Sequence, residues 1–326
     1  MEKSVINGYK LLAPFESKNA GFCRWTFGER MGQVYFLKEF NDPVYPDNTT
    51  LSPTLRNARV RECEEFENQK VKLYHKINQV SDGNLMRTFE LFRWDSHYYL
   101  ATRKVESVDM PLEAVARLPL QDRLLICRTA AHALMQLHSG GIVHADIKQS
   151  NVILQKTVTG KLVAKIIDFD ASFFEEEAPE EEEDLHFDQV YLAPEGGRFV
   201  SGEPVELTCK MDVFAMGLLM HEYLTGEKPG FGAQYDAAFE AVLDDQPLTL
   251  DPTLPPKVAA VLRKMLLCDP EERCTMEEVF ADLGDCMGIK PPVVVDPPEP
   301  DPPEGPKGPK GPRSPMDKYF EGAGDL

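Results

Sequence analysis

The chain has 326 residues, 42% of them apolar and 27% charged, which is the composition of a globular protein with a sizeable core. Its formal net charge of −19 argues against nucleic acid or an anionic membrane as the main partner, because both favour basic surfaces. Seven cysteines without framework or zinc-site spacing are expected to be reduced thiols. The sequence has no run of eighteen apolar residues and Met1–Ser4 has no signal sequence, so we expect a cytoplasmic protein without a membrane segment.

The first hundred residues predict a small lobe rich in β-strands. Alternating apolar residues and glycine breaks predict three strands, then a loop over 41–58. Apolar spacing next predicts one helix and two further strands. In chain order the strands are Tyr9–Phe15, Phe22–Phe27 and Val34–Phe40, the helix is Arg59–Ile77, and the last strands are Leu85–Phe92 and Tyr98–Val105.

The remainder predicts a mainly helical lobe followed by a tail. A helix from Leu120 ends at Gly140-Gly141, and a hairpin of Val152–Leu154 and Leu162–Ile167 follows. Further helices are predicted around 211–224, 233–243, 256–267 and 275–283. Between Pro291 and Pro315, eleven of twenty-five residues are proline, which predicts a disordered extension. We therefore divide the chain at 1–105, 106–290 and 291–326.

A cluster of polar residues at fixed offsets lies around the predicted hairpin. Residues 144–154 read His-Ala-Asp-Ile-Lys-Gln-Ser-Asn-Val-Ile-Leu, and Ile167-Asp168-Phe169-Asp170 follows the second strand. Phosphoryl transfer from a metal-bound nucleotide needs a carboxylate to accept the hydroxyl proton, a cation near the γ-phosphate and oxygen ligands for the metal. The H-x-D-x-K-x-x-N pattern with a later D-F-x supplies these groups in order. It resembles the catalytic core of the protein kinase superfamily.

The resemblance implies an α+β, two-lobed protein-kinase-like fold and a serine/threonine-type protein kinase that uses ATP and Mg²⁺. Asp146 would be the catalytic base, and Lys148 would meet the γ-phosphate. Asn151 and Asp168 would hold the metal. Further matches resemble later kinase motifs: Ala193-Pro194-Glu195, Asp212 at the start of a buried helix, and Asp269-Pro270-Glu271-Glu272-Arg273. Asp212 would hold the backbone of the catalytic loop, and Arg273 would pair with Glu195.

The resemblance also implies a set of nucleotide-binding residues in the first lobe. Lys38 would hold the α- and β-phosphates, with a helix glutamate as its partner. We choose Glu67, because it lies four and seven residues before Val71 and Tyr74, with Glu64 as the alternate. The remaining expected contacts are Gly21 in a loop that has one glycine where the family has three, Thr102 beside the base, and Lys104 in the hinge. Phe36 replaces a small residue expected next to the adenine.

Several departures from the family pattern concern regulation. Ala145 stands where an arginine usually receives an activation-segment phosphate, and Ser172 and Tyr191 are the only hydroxyl residues between Asp168 and Glu195. We therefore predict that phosphorylation of this segment is not the switch, and that a separate partner supplies the signal. Residues 175–184 hold eight acids, which either attract basic substrates or form a solvated loop. Asp170 replaces a glycine and either adds a metal ligand or tolerates the turn.

Two alternatives to an active protein kinase remain open. A small-molecule phosphotransferase resembling aminoglycoside and choline kinases would share H-x-D-x-x-x-x-N and Asp-x-Asp, but these enzymes generally lack Lys148 and the later motifs. A pseudokinase scaffold would explain the poor glycine loop and Phe36, although Lys38, Asp146, Asn151 and Asp168 are all present.

Overall fold

A computed structural model describes residues 4–17, 23–46, 51–181, 185 and 187–289, all within one compact unit, Met1–Lys290. In these ranges six antiparallel strands form one sheet in the order β1-β2-β3-β4-β6-β5. Its strands are β1 (Val5–Ile6), β2 (Tyr9–Leu11), β3 (Cys23–Arg30), β4 (Gln33–Phe40), β5 (Thr88–Trp94) and β6 (His97–Arg103). Helix α1 (Pro53–Val80) connects β4 to β5.

The rest of the described chain is mainly helical, as the sequence predicts. Two small pairs of strands lie at its junction with the sheet lobe: β7 (Ile142–Val143) with β10 (Phe173–Phe174), and β8 (Val152–Lys156) with β9 (Leu162–Ile166). The helices are α2 (Leu112–Ala116), α3 (Leu120–Ser139), α4 (Pro194–Val200), α5 (Lys210–Thr225), α6 (Ala238–Leu243), α7 (Pro256–Met265) and α8 (Met276–Cys286). This is the expected two-lobed α+β architecture.

Helix α1 begins six residues earlier than the sequence predicts. The segment 41–58 was expected to be a loop because it contains several prolines, yet Pro53 occupies the first turn and Ser52 caps the helix by accepting from the Leu55 amide. Proline suits that position because its missing N–H has no intrahelical partner there. The proline therefore marks the start of the helix.

Apolar residues form one large core that fills the helical lobe and continues into the first lobe, and a smaller one on the outer face of the sheet. Helix α5 is buried from Met211 to Leu224, and Gly226 ends it in a left-handed conformation with φ of 93°. The outer face of the sheet has its own cluster, Tyr9, Tyr35, Leu37 and Ala101. None of the helices in the described ranges is both long and apolar enough to cross a membrane.

Candidate active site

The register of the sheet fixes which side chains line the inner face of the first lobe. Lys38 on β4 pairs with Trp25 on β3 and Leu100 on β6, and Phe36 pairs with Phe27 and Thr102. Residues directly opposite one another share a face of the sheet. The lysine therefore lies on the same face as an aromatic group and opposite the outer cluster around Leu37.

Lys38 is buried and bonded to two carboxylates that follow β9. Its Nζ lies 2.8 Å from Asp168 Oδ1 and 2.7 Å from Asp170 Oδ2. Burial alone would lower the pKa of the Lys38 ammonium, but Asp170 and Asp168 outweigh it and hold that pKa above its usual value. The lysine is therefore held charged next to the proposed metal ligand, Asp168.

The expected pairing of Lys38 with Glu67 is wrong. The Glu67 side chain is exposed, and its Oε2 accepts a long hydrogen bond of 3.5 Å from the Tyr98 hydroxyl. The alternate, Glu64, is exposed as well. The prediction requires Val71 to point inward, but Val71 is 51% exposed, so the inward face of the helix has a different phase. The face of α1 turned towards the protein runs instead through Phe66, Lys70 and Tyr74 in steps of four.

Lys70 occupies the place on α1 at which an acid was expected. Its Nζ donates to the backbone carbonyl of Asp170 over 2.8 Å, and the Tyr74 hydroxyl donates to Asp170 Oδ1 over 3.2 Å. Burial lowers the pKa of the Lys70 ammonium, and the nearby charge of Lys38 lowers it further, although Asp170 opposes this. Sequence reasoning missed Lys70, although its position four residues from both Phe66 and Tyr74, on the same helix face, could have indicated it.

The catalytic loop brings Asp146, Lys148 and Asn151 together. Lys148 Nζ lies 2.9 Å from Asp146 Oδ2, and Asn151 Nδ2 donates to the same oxygen and to the Asp146 carbonyl, each over 2.8 Å. The other carboxylate oxygen, Asp146 Oδ1, is buried and has no hydrogen-bond partner among the residues that the structure describes. A buried acceptor without a partner costs free energy, and such a group in a native structure is a candidate for a catalytic role.

Asp212 holds the backbone of this loop, as the sequence predicts. Its two carboxylate oxygens accept from the amides of His144 and Ala145 over 2.7 and 2.9 Å, and His138 Nε2 lies 2.9 Å from Oδ2. Ala145 has a left-handed conformation with φ of 66°, which is unfavourable for a residue with a Cβ. The charge-assisted bonds to Asp212 stabilise that conformation.

The predicted ion pair between Arg273 and Glu195 is also confirmed. Arg273 Nη1 and Nη2 donate to the two oxygens of Glu195 over 2.7 and 3.0 Å. The arginine also donates to the carbonyls of Leu267, Cys268 and Lys210, and its side chain is fully buried. This contact holds the end of the activation segment against the helical lobe.

The remaining predicted nucleotide contacts lie at one end of the sheet face. Thr102 is buried opposite Phe36, whose ring stacks on Trp25 at 5.7 Å between centroids. Lys104 donates its backbone amide to Val34 and places Nζ 4.9 Å above the Phe27 ring. Gly21 lies outside the described residues. Trp25, Phe27 and Phe36 therefore form one group of contacting aromatic rings on the face of the sheet that carries Lys38.

Both hydroxyl residues of the activation segment are engaged inside the protein. Ser172 is buried and donates to the His144 carbonyl over 3.1 Å, while buried Tyr191 donates to Glu222 over 2.6 Å. Neither hydroxyl is accessible to a modifying enzyme in this conformation. The beginning of the acidic run is also anchored, since Glu175 accepts from the Cys209 amide over 2.8 Å and Glu177 contacts Lys72.

Comparison with known proteins agrees with this geometry. The family model described as "Protein kinase domain" matches residues 55–283. Serine/threonine-protein kinase ULK3 of Xenopus laevis is 27% identical over 59% of the chain and 40% of its own length. Serine/threonine-protein kinase PknA of Mycobacterium tuberculosis is 28% identical over 60% of the chain and 44% of its own length. Protein kinase kin1 of Schizosaccharomyces pombe is 24% identical over 85% of the chain and 30% of its own length. The chain thus spans less than half the length of these relatives.

Proposed function

The chain belongs to the protein kinase superfamily, and from that premise we propose that it is an ATP-dependent kinase for Ser/Thr hydroxyls of proteins. One observation carries the proposal: the cleft joins Lys38 and Asp168 at 2.8 Å, and Asp146, Lys148 and Asn151 form a second group within hydrogen-bond distance. These two groups are the phosphate-binding and proton-accepting parts that phosphoryl transfer requires.

Asp146 is proposed to accept the proton of the substrate hydroxyl through Oδ1, the oxygen left without a partner in the described part of the chain. Asn151 and Lys148 bind the other oxygen and so fix the orientation of the carboxylate. Lys148 also lies 3.7 Å from Asp188, so its charge is shared between two acids. It is proposed to neutralise the transferred phosphoryl group.

The residues present fit a magnesium site. Asp168 is 37% exposed and supplies a carboxylate, and Asn151 uses its amide nitrogen for Asp146, which leaves its amide oxygen as a ligand. Mg²⁺ prefers such hard oxygen donors and usually takes only one or two protein ligands besides phosphate and water. When bound, the ion would neutralise phosphate charge. Asp168 has a left-handed conformation with φ of 63°, a strained geometry of the kind that clusters at functional sites.

We further propose that the protein substrate carries basic residues near its hydroxyl and that the protein acts in the cytoplasm. Asp188 is partly exposed beside Lys148, and the segment that precedes it begins with Glu175, Glu176 and Glu177. A cationic peptide would be attracted to this side of the cleft. Activation-segment phosphorylation is not proposed as the switch, because Ser172 and Tyr191 are buried and bonded. Mass spectrometry that finds activity rising with phosphate on either residue would contradict this, and would remove the need for a separate activating partner.

A pseudokinase scaffold is the second candidate, favoured by the aromatic group around Phe36 at the expected adenine position. A direct test incubates the full chain with γ-labelled ATP, Mg²⁺ and a basic protein such as histone. We expect transfer that is lost in Asp146→Ala and in Lys38→Ala. Nucleotide binding without transfer would support the scaffold, and transfer to an aminoglycoside or choline but not to protein would support a small-molecule phosphotransferase.

A further inference from the structure

We propose that Asp170 is the positioning residue for Lys38, a role for which an acid on helix α1 was expected, and that Lys70 completes a reversed arrangement of charge. Asp170 Oδ2 lies 2.7 Å from Lys38 Nζ, whereas Lys70 donates to the carbonyl of Asp170 over 2.8 Å. The helix thus presents a cation where it was expected to present an anion. The acid lies on the segment that carries Asp168. This inference rests on the nucleotide binding of the proposed function.

The first step concerns the two acids that contact Lys38. Asp168 and Asp170 both bind the ammonium, but Asp168 is the residue proposed to hold Mg²⁺. A carboxylate that binds a metal ion is no longer a full counter-charge for a lysine. Asp170 is then the acid that keeps Lys38 aligned with the phosphates.

The second step concerns the fixation of Asp170 itself. Its Oδ1 accepts from the Tyr74 hydroxyl over 3.2 Å, its Oδ2 accepts from the Cys23 thiol over 3.6 Å, and its carbonyl accepts from Lys70. Three elements, α1, β3 and β4, therefore contact this one residue. A side chain held by so many partners presents its carboxylate to Lys38 in a defined orientation.

The third step concerns the polarity of the whole contact between α1 and the activation segment. Lys72, two residues after Lys70, contacts Glu177 and lies 4.4 Å from the Phe174 ring. The helix thus supplies cations at two successive places, and the segment supplies acceptors at both. At both places the helix carries the positive charge and the segment carries the acceptor. The contact between Lys70 and Asp170 is therefore part of one interface with this arrangement of charge.

The reversed arrangement of charge predicts how single and double substitutions of Asp170 and Lys70 affect ATP binding. Asp170→Gly removes one of the two acids that contact Lys38, and Lys70→Glu adds a third carboxylate beside Asp168 and Asp170. Each single variant is expected to weaken ATP binding roughly 10- to 100-fold, the cost of losing or opposing a hydrogen bond to a charged group. In the double variant the new glutamate on α1 can pair with Lys38, so binding is expected to recover to within about threefold of the wild type.

The experiment measures the Kd of ATP with Mg²⁺ by calorimetry, and the KM for ATP and kcat, for the full chain and each variant. Arg61→Glu, an exposed charge reversal on the same helix, is the matched control, and circular dichroism checks folding. If Asp170→Gly does not fold, Asp170→Asn keeps the shape of the side chain and is expected to give a smaller rise in Kd and in KM for ATP.

Recovery in the double variant supports the inference, since a purely structural role predicts losses that add. Unchanged ATP binding in both Asp170 variants overturns it, as does a double variant that is as weak as the sum of the singles. A larger loss in Glu67→Gln than in Asp170→Asn overturns it too. Failure of the wild type to bind ATP with Mg²⁺ would instead overturn the proposed function.

Discussion

Two ion-pair clusters, one within the helical lobe and one that joins Lys38 of the sheet lobe to Asp168 and Asp170, differ in how completely the protein satisfies their charges. Glu195 and Arg273 form a bidentate pair whose side chains are 3% and 0% exposed, and three backbone carbonyls take the remaining arginine donors. Lys38 is also buried, but its partners Asp168 and Asp170 are 37% and 28% exposed. Both clusters join distant parts of the chain.

The difference separates a structural contact from an exchangeable one. The first pair has no capacity left for a ligand, and its exclusion from water makes the loss of either partner costly. The carboxylates of the second cluster keep access to solvent, so under the proposed function they can exchange partners when nucleotide and metal bind. The arrangement predicts that mutations in the first cluster change stability, and that mutations in the second change nucleotide binding.

Replacement of Arg273 should have the largest effect on stability. Arg273→Met leaves Glu195 buried without a counter-charge, and we expect a loss of about 3–5 kcal/mol in the free energy of unfolding. Chemical denaturation monitored by circular dichroism measures this value. Arg59→Met, which removes the exposed pair with Glu62, is the matched control and should leave the midpoint unchanged. Equal losses in the two variants would refute the distinction between the clusters.

Replacement of Lys38 should affect nucleotide binding more than stability. Lys38→Met leaves Asp168 and Asp170 facing each other, but both reach solvent, so the loss of stability should be clearly smaller than for Arg273→Met. ATP affinity in the presence of Mg²⁺ should fall roughly 10- to 100-fold, because a charged contact to phosphate is lost. Calorimetric titration of ATP and the same denaturation experiment measure both quantities. A variant that unfolds as readily as Arg273→Met but binds ATP normally would contradict the comparison.

The smallest expected effect concerns the thiol beside the exchangeable cluster. Burial, together with the nearby charge of Asp170, raises the pKa of Cys23 to about 12, so the thiol should stay protonated and unreactive at pH 8. Asp170→Asn removes the nearby negative charge, which lowers this pKa and should increase alkylation by iodoacetamide about two- to fivefold. Peptide mapping after a timed reaction measures the labelled fraction. A decrease in labelling would show that Asp170 does not face the thiol.

The sequence predicted the helical lobe and the catalytic loop well because both depend on local spacing. The offsets among Asp146, Lys148 and Asn151 are fixed along the chain, and the pairing of Arg273 with Glu195 followed from two recognisable motifs. The partner of Lys38 could not be found in this way. The partner depends on which face of a 28-residue helix points inward, and the apolar Val71 suggested the wrong face. It also depends on Asp170, which lies 132 positions from Lys38 in the chain.

The central claim is that this cleft binds nucleotide through the Lys38 cluster and performs chemistry through Asp146. The most direct measurement compares the Kd of ATP with Mg²⁺ and the rate of phosphoryl transfer in Asp146→Asn and the wild type. We predict that transfer falls about 10²- to 10⁴-fold, the usual contribution of a positioned base, while Kd changes by less than about twofold. Transfer at the wild-type rate, or a parallel loss of nucleotide binding, would contradict the claim.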